Sequence, residues 1–285
     1  MAFVRPKQHH TGWGKWVVCG IAAVFLIVML VLPLLLVFIQ GLSQGIKLYW
    51  DSLVDENAVE AIKLTLKIAL ITVPLNAIFG IAVAWLLSKF TFRGKSLLMT
   101  LIDLPMAVSP VIVGFSIVLV FGIRGWLGPW LTEHDIQIIF ALPGMVLATI
   151  FVTFPLVARE LIPFMQSQGR QEEEVAATLG ARGWRIFWRV TLPNIKWGLI
   201  YGIFLCNARA IGEFGAVSVV SGHVQGLTNT IPLHIQILYN EYQFSASFAV
   251  ASLLVLFSLI TMIIKGLVEW KAQRTQQLLK ESGEL

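Results

Sequence analysis

Charge is what this sequence has least of. Asp, Glu, Lys and Arg make up 13% of its 285 residues, about half the share usual in soluble domains, which excludes an ordinary water-soluble fold. Cysteine is nearly absent: Cys19 and Cys206 both fall inside apolar runs, so they read as packing residues and not as a disulfide pair. The five histidines show no spacing that would build a metal site, and nothing in the sequence calls for a cofactor. No Ser/Gly-rich or charged linker interrupts the chain, so residues 1–285 read as one domain.

Hydrocarbon fills the space that charge leaves. Apolar side chains make up 57% of the sequence, and the mean hydropathy is +0.79. Crossing about 30 Å of bilayer as a helix takes about 20 apolar residues, because every backbone N–H and C=O must be paired within the segment. Six windows qualify: Trp16 to Gly41, Val59 to Leu87, Leu97 to Gly122, Ile138 to Ile162, Gly198 to Val220 and Ser245 to Val268. The expected fold is therefore an all-α membrane protein with six transmembrane helices. The first window is too long for a signal-peptide core and carries Pro33, so it is expected to be retained as a span.

The basic residues orient this bundle. The N-terminal tail holds Arg5, Lys7 and Lys15, the second connection holds Lys89, Arg93 and Lys95, residues 159–196 hold six more, and the tail from Lys265 holds four. The alternate connections, roughly 42–58, 123–137 and 221–244, hold only Lys47 and Arg124. An excess of Lys and Arg marks the cytoplasmic side, so both termini are expected there. The same clustering beside apolar runs accounts for the net charge of +5 and argues against a nucleic-acid partner; the lipid bilayer is the partner it fits.

The longest cytoplasmic connection, 164–197, contains "EEEVAATLGARGWRIFWRVTLP" at 172–193. Glu172, Glu173 and Glu174 suit a first helical turn, where carboxylates complement the helix dipole, and Gly180 permits a sharp turn. A second short helix is expected from Arg182, carrying Trp184, Phe187 and Trp188, with Pro193 stopping it or opening the next span. The pair would make a compact helical protrusion; basic and aromatic residues in such a stretch also suit a helix resting on lipid headgroups. "RGKS" at 93–96 ends like a phosphate-binding loop, but Lys89 stands where that loop requires its leading glycine, and the preceding segment is a membrane helix.

The order of residues in this stretch is more specific than its composition. Glu174, Ala176, Gly180, Val190 and Leu192-Pro193 have the spacing of the Glu-Ala-Ala motif of permease subunits in binding-protein-dependent ABC importers. Val175 replaces the usual first alanine and Val190 the usual isoleucine. The chain resembles that family over nearly its whole length, within its sulfate and molybdate group. "ARAIGEFGAVSVVSG" at 208–222 and "IPLHIQILYNEYQFSASFAVASLL" at 231–254 carry the likeness to sulfate/thiosulfate permeases. The resemblance implies a coupling helix seated in a groove of a separate ATPase, with Glu174, Ala176, Gly180, Trp184, Leu192 and Pro193 at that joint. It also implies the partners: a homologous permease subunit, two ATPase subunits and a periplasmic sulfate-binding protein, at a bacterial inner membrane. ATP hydrolysis would then belong to the partner and not to this chain.

Charges within spans are costly and invite a functional reading. Arg209 and Glu213 are four apart on the fifth window, close enough on a helix to neutralise each other; an interhelical clamp is the leading reading and direct anion contact the other. Ala208, Gly212 and Ala216 form a small-residue stripe beside them that would let another helix approach. In the third window "DLPMAVSPVIVG" places Asp103, Pro105, Ser109 and Pro110 together, and two prolines free backbone groups that need other partners. Ser109 and Ser116 are neutral donors suited to transient anion contact, although serine in a membrane helix more often bonds its own backbone. Asp103 would repel sulfate and so marks a structural contact or the rim of a path. The 221–244 connection suits either reception of a binding protein or a cap packed on its own bundle.

Two other classes compete. A gradient-driven secondary transporter would usually show more spans or an inverted repeat. A membrane-embedded enzyme needs clustered titratable groups, where the spans offer Asp103, Arg209, Glu213 and the edge lysines Lys63 and Lys67.

Overall fold

In the computed structural model of the protein, residues 12–283 are described, with side chains from 14 to 267 and at Trp270. Arg5, Lys7 and the basic residues after Lys265 lie outside the described side chains. Among the described residues every regular element is helical: α1 (Gly12–Leu26), α2 (Leu32–Gly41), α3 (Ile46–Val54), α4 (Glu56–Lys89), α5 (Lys95–Ala107), α6 (Pro110–Phe121) and α7 (Gly128–Glu133) form the first half. The second half contains α8 (Leu142–Gln168), α9 (Gln171–Thr178), α10 (Gly183–Ile186), α11 (Leu192–Ile211), α12 (Gly215–Ser221), α13 (Ile231–Asn240) and α14 (Phe244–Gly283). Single π-type turns, Ile27–Val31 and Phe187–Thr191, join α1 to α2 and α10 to α11.

Four unbroken helices are long and apolar enough to cross a membrane: Gly14–Gly41, Glu56–Lys89, Leu142–Gln168 and Phe244–Leu267. The other two windows are broken, so the total is six only if each bent pair counts as one span. The third window, expected as one helix from Leu97 to Gly122, bends by 106° between α5 and α6. Val108 and Ser109 are extended there (ψ 139° and 133°), and Pro110 disfavours the helical conformation at Ser109 before it. The fifth window bends by 51° between α11 and α12, across Gly212, Glu213 and Phe214. The fourth helix begins at Leu142, with Pro143 in its first turn, and runs on to Gln168, beyond the expected end at Ile162.

The core lies between α4, α8 and α11, where small residues let backbones approach. A Cβ on Gly80 would stand 2.7 Å from Val157 Cγ1, so only glycine fits this crossing of α4 and α8. Leu87, Val157, Leu161, Met165, Ile195 and Cys206 fill one half of the core, toward the basic end. Ile68, Val113, Met145, Val152, Val217 and Leu233 fill the other. Buried polar groups stitch the same seam: Asn76 Nδ2 donates to Thr153 Oγ1 (2.7 Å), and Thr153 Oγ1 donates to the Thr149 carbonyl (2.6 Å). By contrast, the apolar window of Gly14–Gly41 has none of its residues buried against the rest of the chain.

The expected small-residue stripe does not survive the second bend. Ala208 and Gly212 are exposed, whereas Ala216 is buried in α12 against α6, beside Gly114. The break rotates the third member away from the first two. Among the cysteines, Cys206 packs in the core as expected, while Cys19 is exposed on α1; both are free. For the 221–244 connection, the packing favours the cap: α13 buries Ile231, Leu233 and His234, and the Ile231 N–H donates to Thr65 Oγ1 of α4 (2.9 Å).

Candidate functional site

The 164–197 connection is shorter than expected, because α8 and the helix opening at Gly183 take up both its ends. α9 begins with the three glutamates in its first turn. It closes with the Ala181 N–H bonded to the Ala176 carbonyl and the Gly180 N–H to the Ala177 carbonyl, both at 3.0 Å. That double bond pattern requires a left-handed residue, and Gly180 takes it at φ +85°. Of the two expectations for Pro193, the opening of the next span holds, since it stands in the first turn of α11, but the second short helix does not stop before it. It runs through the π-type turn at Phe187–Thr191 directly into α11, and this widened turn lies just before the residue that has no N–H to donate. One half of the expected protrusion is thus the first turns of the fifth span itself.

Four contacts fasten this region to the bundle. Lys89, nearly buried at the end of α4, lies 3.1 Å from Glu173 Oε1 and donates to the Gly169 carbonyl. Thr191 donates to the same Glu173 oxygen at 2.8 Å, and Asn194 donates to Glu172. Glu174 is exposed, and Ala176 is half-buried. Leu179 and Trp184 are 83% and 73% exposed. Trp184 stacks on Phe187, with ring centroids 6.1 Å apart, and meets Trp188 edge-on at 5.5 Å. Leu192 is half-buried and Pro193 exposed. The result is a rigidly mounted tip with bare apolar knobs and charges around them, the pattern of an interface centre.

Two ion pairs lie within the broken and fourth apolar windows. Arg209 Nη1 lies 2.7 Å from Glu213 Oε2, with the Glu213 side chain fully buried and Arg209 40% exposed. Glu213 stands in the break, outside α11. Its other oxygen accepts the Ala216 N–H at 2.9 Å, so the carboxylate also caps α12. Its Oε2 has no directional hydrogen bond, which makes the Arg209 contact an ion pair by proximity. Asp103 on α5 pairs with Arg159 on α8 at 3.4 Å. Ser109 is exposed at the extended corner, and its side chain does not cap α6. Ser116 donates to the Ile112 carbonyl of its own helix.

Sequence reasoning passed over Arg159 and its neighbour Glu160 as intramembrane charges, although both lie inside the fourth apolar window, which was the available signal. The Lys89–Glu173 tether gave none, since the two residues are distant in sequence and each fits its local helix end.

The sequence matches the family described as binding-protein-dependent transport system inner membrane component over residues 76–274, and the chain belongs to that family. It is a multi-pass membrane protein of the permease class. Among individual relatives, it is 50% identical over 273 residues to the sulfate transport system permease protein CysW of Escherichia coli (strain K12), covering 96% of this chain and 94% of that one. The CysW of Synechocystis sp. (strain ATCC 27184 / PCC 6803 / Kazusa) is 48% identical, covering 92% and 94%. The sulfate transport system permease protein CysT of Escherichia coli (strain K12) is 33% identical, covering 85% and 87%. A bacterial ABC transporter involved in alginate import has the same fold: TM-score 0.71 at 17% identity, over 92% of this chain and 96% of that one.

Proposed function

We propose that this chain is the CysW-type permease subunit of an ATP-driven importer that moves sulfate and thiosulfate into the cytoplasm. The observation that carries the reading is the 50% identity to a sulfate permease across 96% of the chain, which takes in both bent spans and the 172–193 stretch. In this reading each bent pair is one span, giving six, and the basic end faces the cytoplasm. Glu174, Ala176, Gly180, Trp184, Leu192 and Pro193 form the joint with a separate ATPase, two copies of which drive the complex. A homologous CysT-type permease completes the path, and a periplasmic binding protein delivers the anion. The exposed Leu179 and Trp184 support this role, since bare apolar knobs at a loop tip are stable when a partner groove covers them. Arg209 and Glu213 act mainly as a clamp on the α11–α12 break.

The test is uptake of radiolabelled sulfate, thiosulfate and molybdate by the complete complex in vesicles. Sulfate and thiosulfate accumulation that needs ATP is expected, and it should vanish with Gly180→Trp while the complex's helix content is unchanged. Uptake of molybdate alone would move the chain to a related oxyanion importer. Uptake driven by an ion gradient without ATP would overturn the class.

A further inference from the structure

The second ion pair, Asp103–Arg159, is longer and more exposed than Arg209–Glu213. Arg159 lies three residues before the end of the fourth apolar window at Ile162 and Asp103 six after the start of the third at Leu97, about 5–9 Å of helix, so both sit toward the basic end of apolar segments. Yet their side chains are 53% and 52% exposed in the single chain. Charges within apolar segments usually face protein or a water-filled cavity. The face that carries them is therefore covered by the second permease or opens on water between the two chains.

The guanidinium is also loosely held. Nε is 3.4 Å from Asp103, Nη1 rests on the Met106 sulfur at 3.1 Å, and among the described residues Nη2 has no acceptor. A thioether is a weak acceptor, so most of the fork's donor capacity is free. Such a fork matches two oxygens of a tetrahedral oxyanion. Alone it would hold a dianion too tightly, whereas a conduction site must bind strongly enough to admit its ion and weakly enough to release it. Asp103 supplies the opposing charge beside it.

Resting on the sulfate-permease reading above, we propose that Arg159 contacts the translocated dianion on the inner half of its path, and that Asp103 competes for the guanidinium so that the anion leaves. Arg159→Gln in the complete reconstituted complex is expected to assemble at parental yield and to lose about ten-fold or more of its sulfate uptake, the worth of one charge-assisted contact. Arg159→Lys recovers part of that loss. Asp103→Asn retains labelled sulfate on the purified complex through gel filtration where the parent retains none, and adding Arg159→Gln abolishes that retention without restoring uptake.

Uptake by Arg159→Gln within about two-fold of the parent, less than a contact of this kind should contribute, overturns the proposal. It is equally overturned if each single variant loses assembled complex and the double variant regains it, the signature of a clamp. Should the parent transport molybdate and not sulfate, the sulfate reading fails separately, and the same variants are judged with molybdate, which is also a tetrahedral dianion.

Discussion

Two carboxylates do opposite work in this molecule. Glu213 is fully buried at the α11–α12 break, paired with Arg209 and capping α12; Glu173 sits at the basic surface, holding Lys89 and Thr191. The first keeps a helix broken at a set angle inside the bundle. The second fastens α9 to the end of α4 and leaves the neighbouring Glu174 exposed. Similar ion-pair chemistry therefore serves as an internal splint at the break of one span and as a mounting bracket at the end of another.

Removing Arg209 should break this comparison most severely. Arg209→Gln leaves the buried Glu213 carboxylate without its counter-charge, at a cost of about 3–5 kcal/mol. Glu213→Gln leaves a half-exposed arginine and keeps an oxygen to cap Ala216, so it should cost about 1–2 kcal/mol. The double variant should be more stable than Arg209→Gln alone. Thermal denaturation of the detergent-purified complex reads all three. Equal losses from the two single changes would mean that burial of Glu213 does not set the scale.

At the loop tether the effects shrink. Lys89→Met should cost about 1–2 kcal/mol, and its mark should be local: faster proteolytic nicking between 169 and 182, with the bundle intact. Gly180→Ala places a Cβ at φ +85° in open space, so the cost is about 1 kcal/mol of backbone strain. Sulfate uptake should fall further than stability does.

The α13 cap offers a contrast of sign, because His234 is a buried base with no counter-charge in contact. Burial pushes its pKa below 6.5, only partly offset by Asp55 and Glu241. A base held neutral in the fold stabilises it above the unfolded pKa and loses that contribution as pH falls toward the folded value. Hydrogen exchange along α13 should therefore quicken as the pH falls below about 6.5. His234→Gln should remove that dependence.

Glu174→Gln is the smallest change in stability, under about 0.5 kcal/mol, since an exposed carboxylate in a first turn contributes little beyond the helix dipole. Its uptake should nonetheless drop, measured beside ATPase binding to the complex. Parental uptake from this variant would remove Glu174 from the coupling joint.

Much of the fold was legible because bilayer energetics are one-dimensional. A window either holds enough apolar residues to cross or does not, and four unbroken helices overlap four of the windows closely. The bends were legible only in part. Pro110 and Ser109 announced an irregularity, but not that α6 would turn by 106° from α5. Nothing in the run from Arg209 to Ala216 showed that Glu213 would leave the helix, because a residue four from an arginine can meet it in a helix or, as here, across a break. In the 172–193 stretch, the glutamate-rich start and the glycine turn were readable from local propensity. The fusion of α10 with α11 was not, since Pro193 ordinarily signals an end and a π-type turn absorbed it.

The sequence alone determined the solvent, the sidedness expected of the basic connections and the motif at the loop, since each depends on residue type and spacing within a single segment. Only the tertiary structure decided which charges meet. Asp103 and Arg159 are 56 positions apart, and Lys89 and Glu173 are 84 apart. Pairs at that separation form because the crossing of α4 with α8, held close at Gly80, and the packing of α5 on α8 bring them together. A periodicity read along one chain segment carries no term for where another segment will lie.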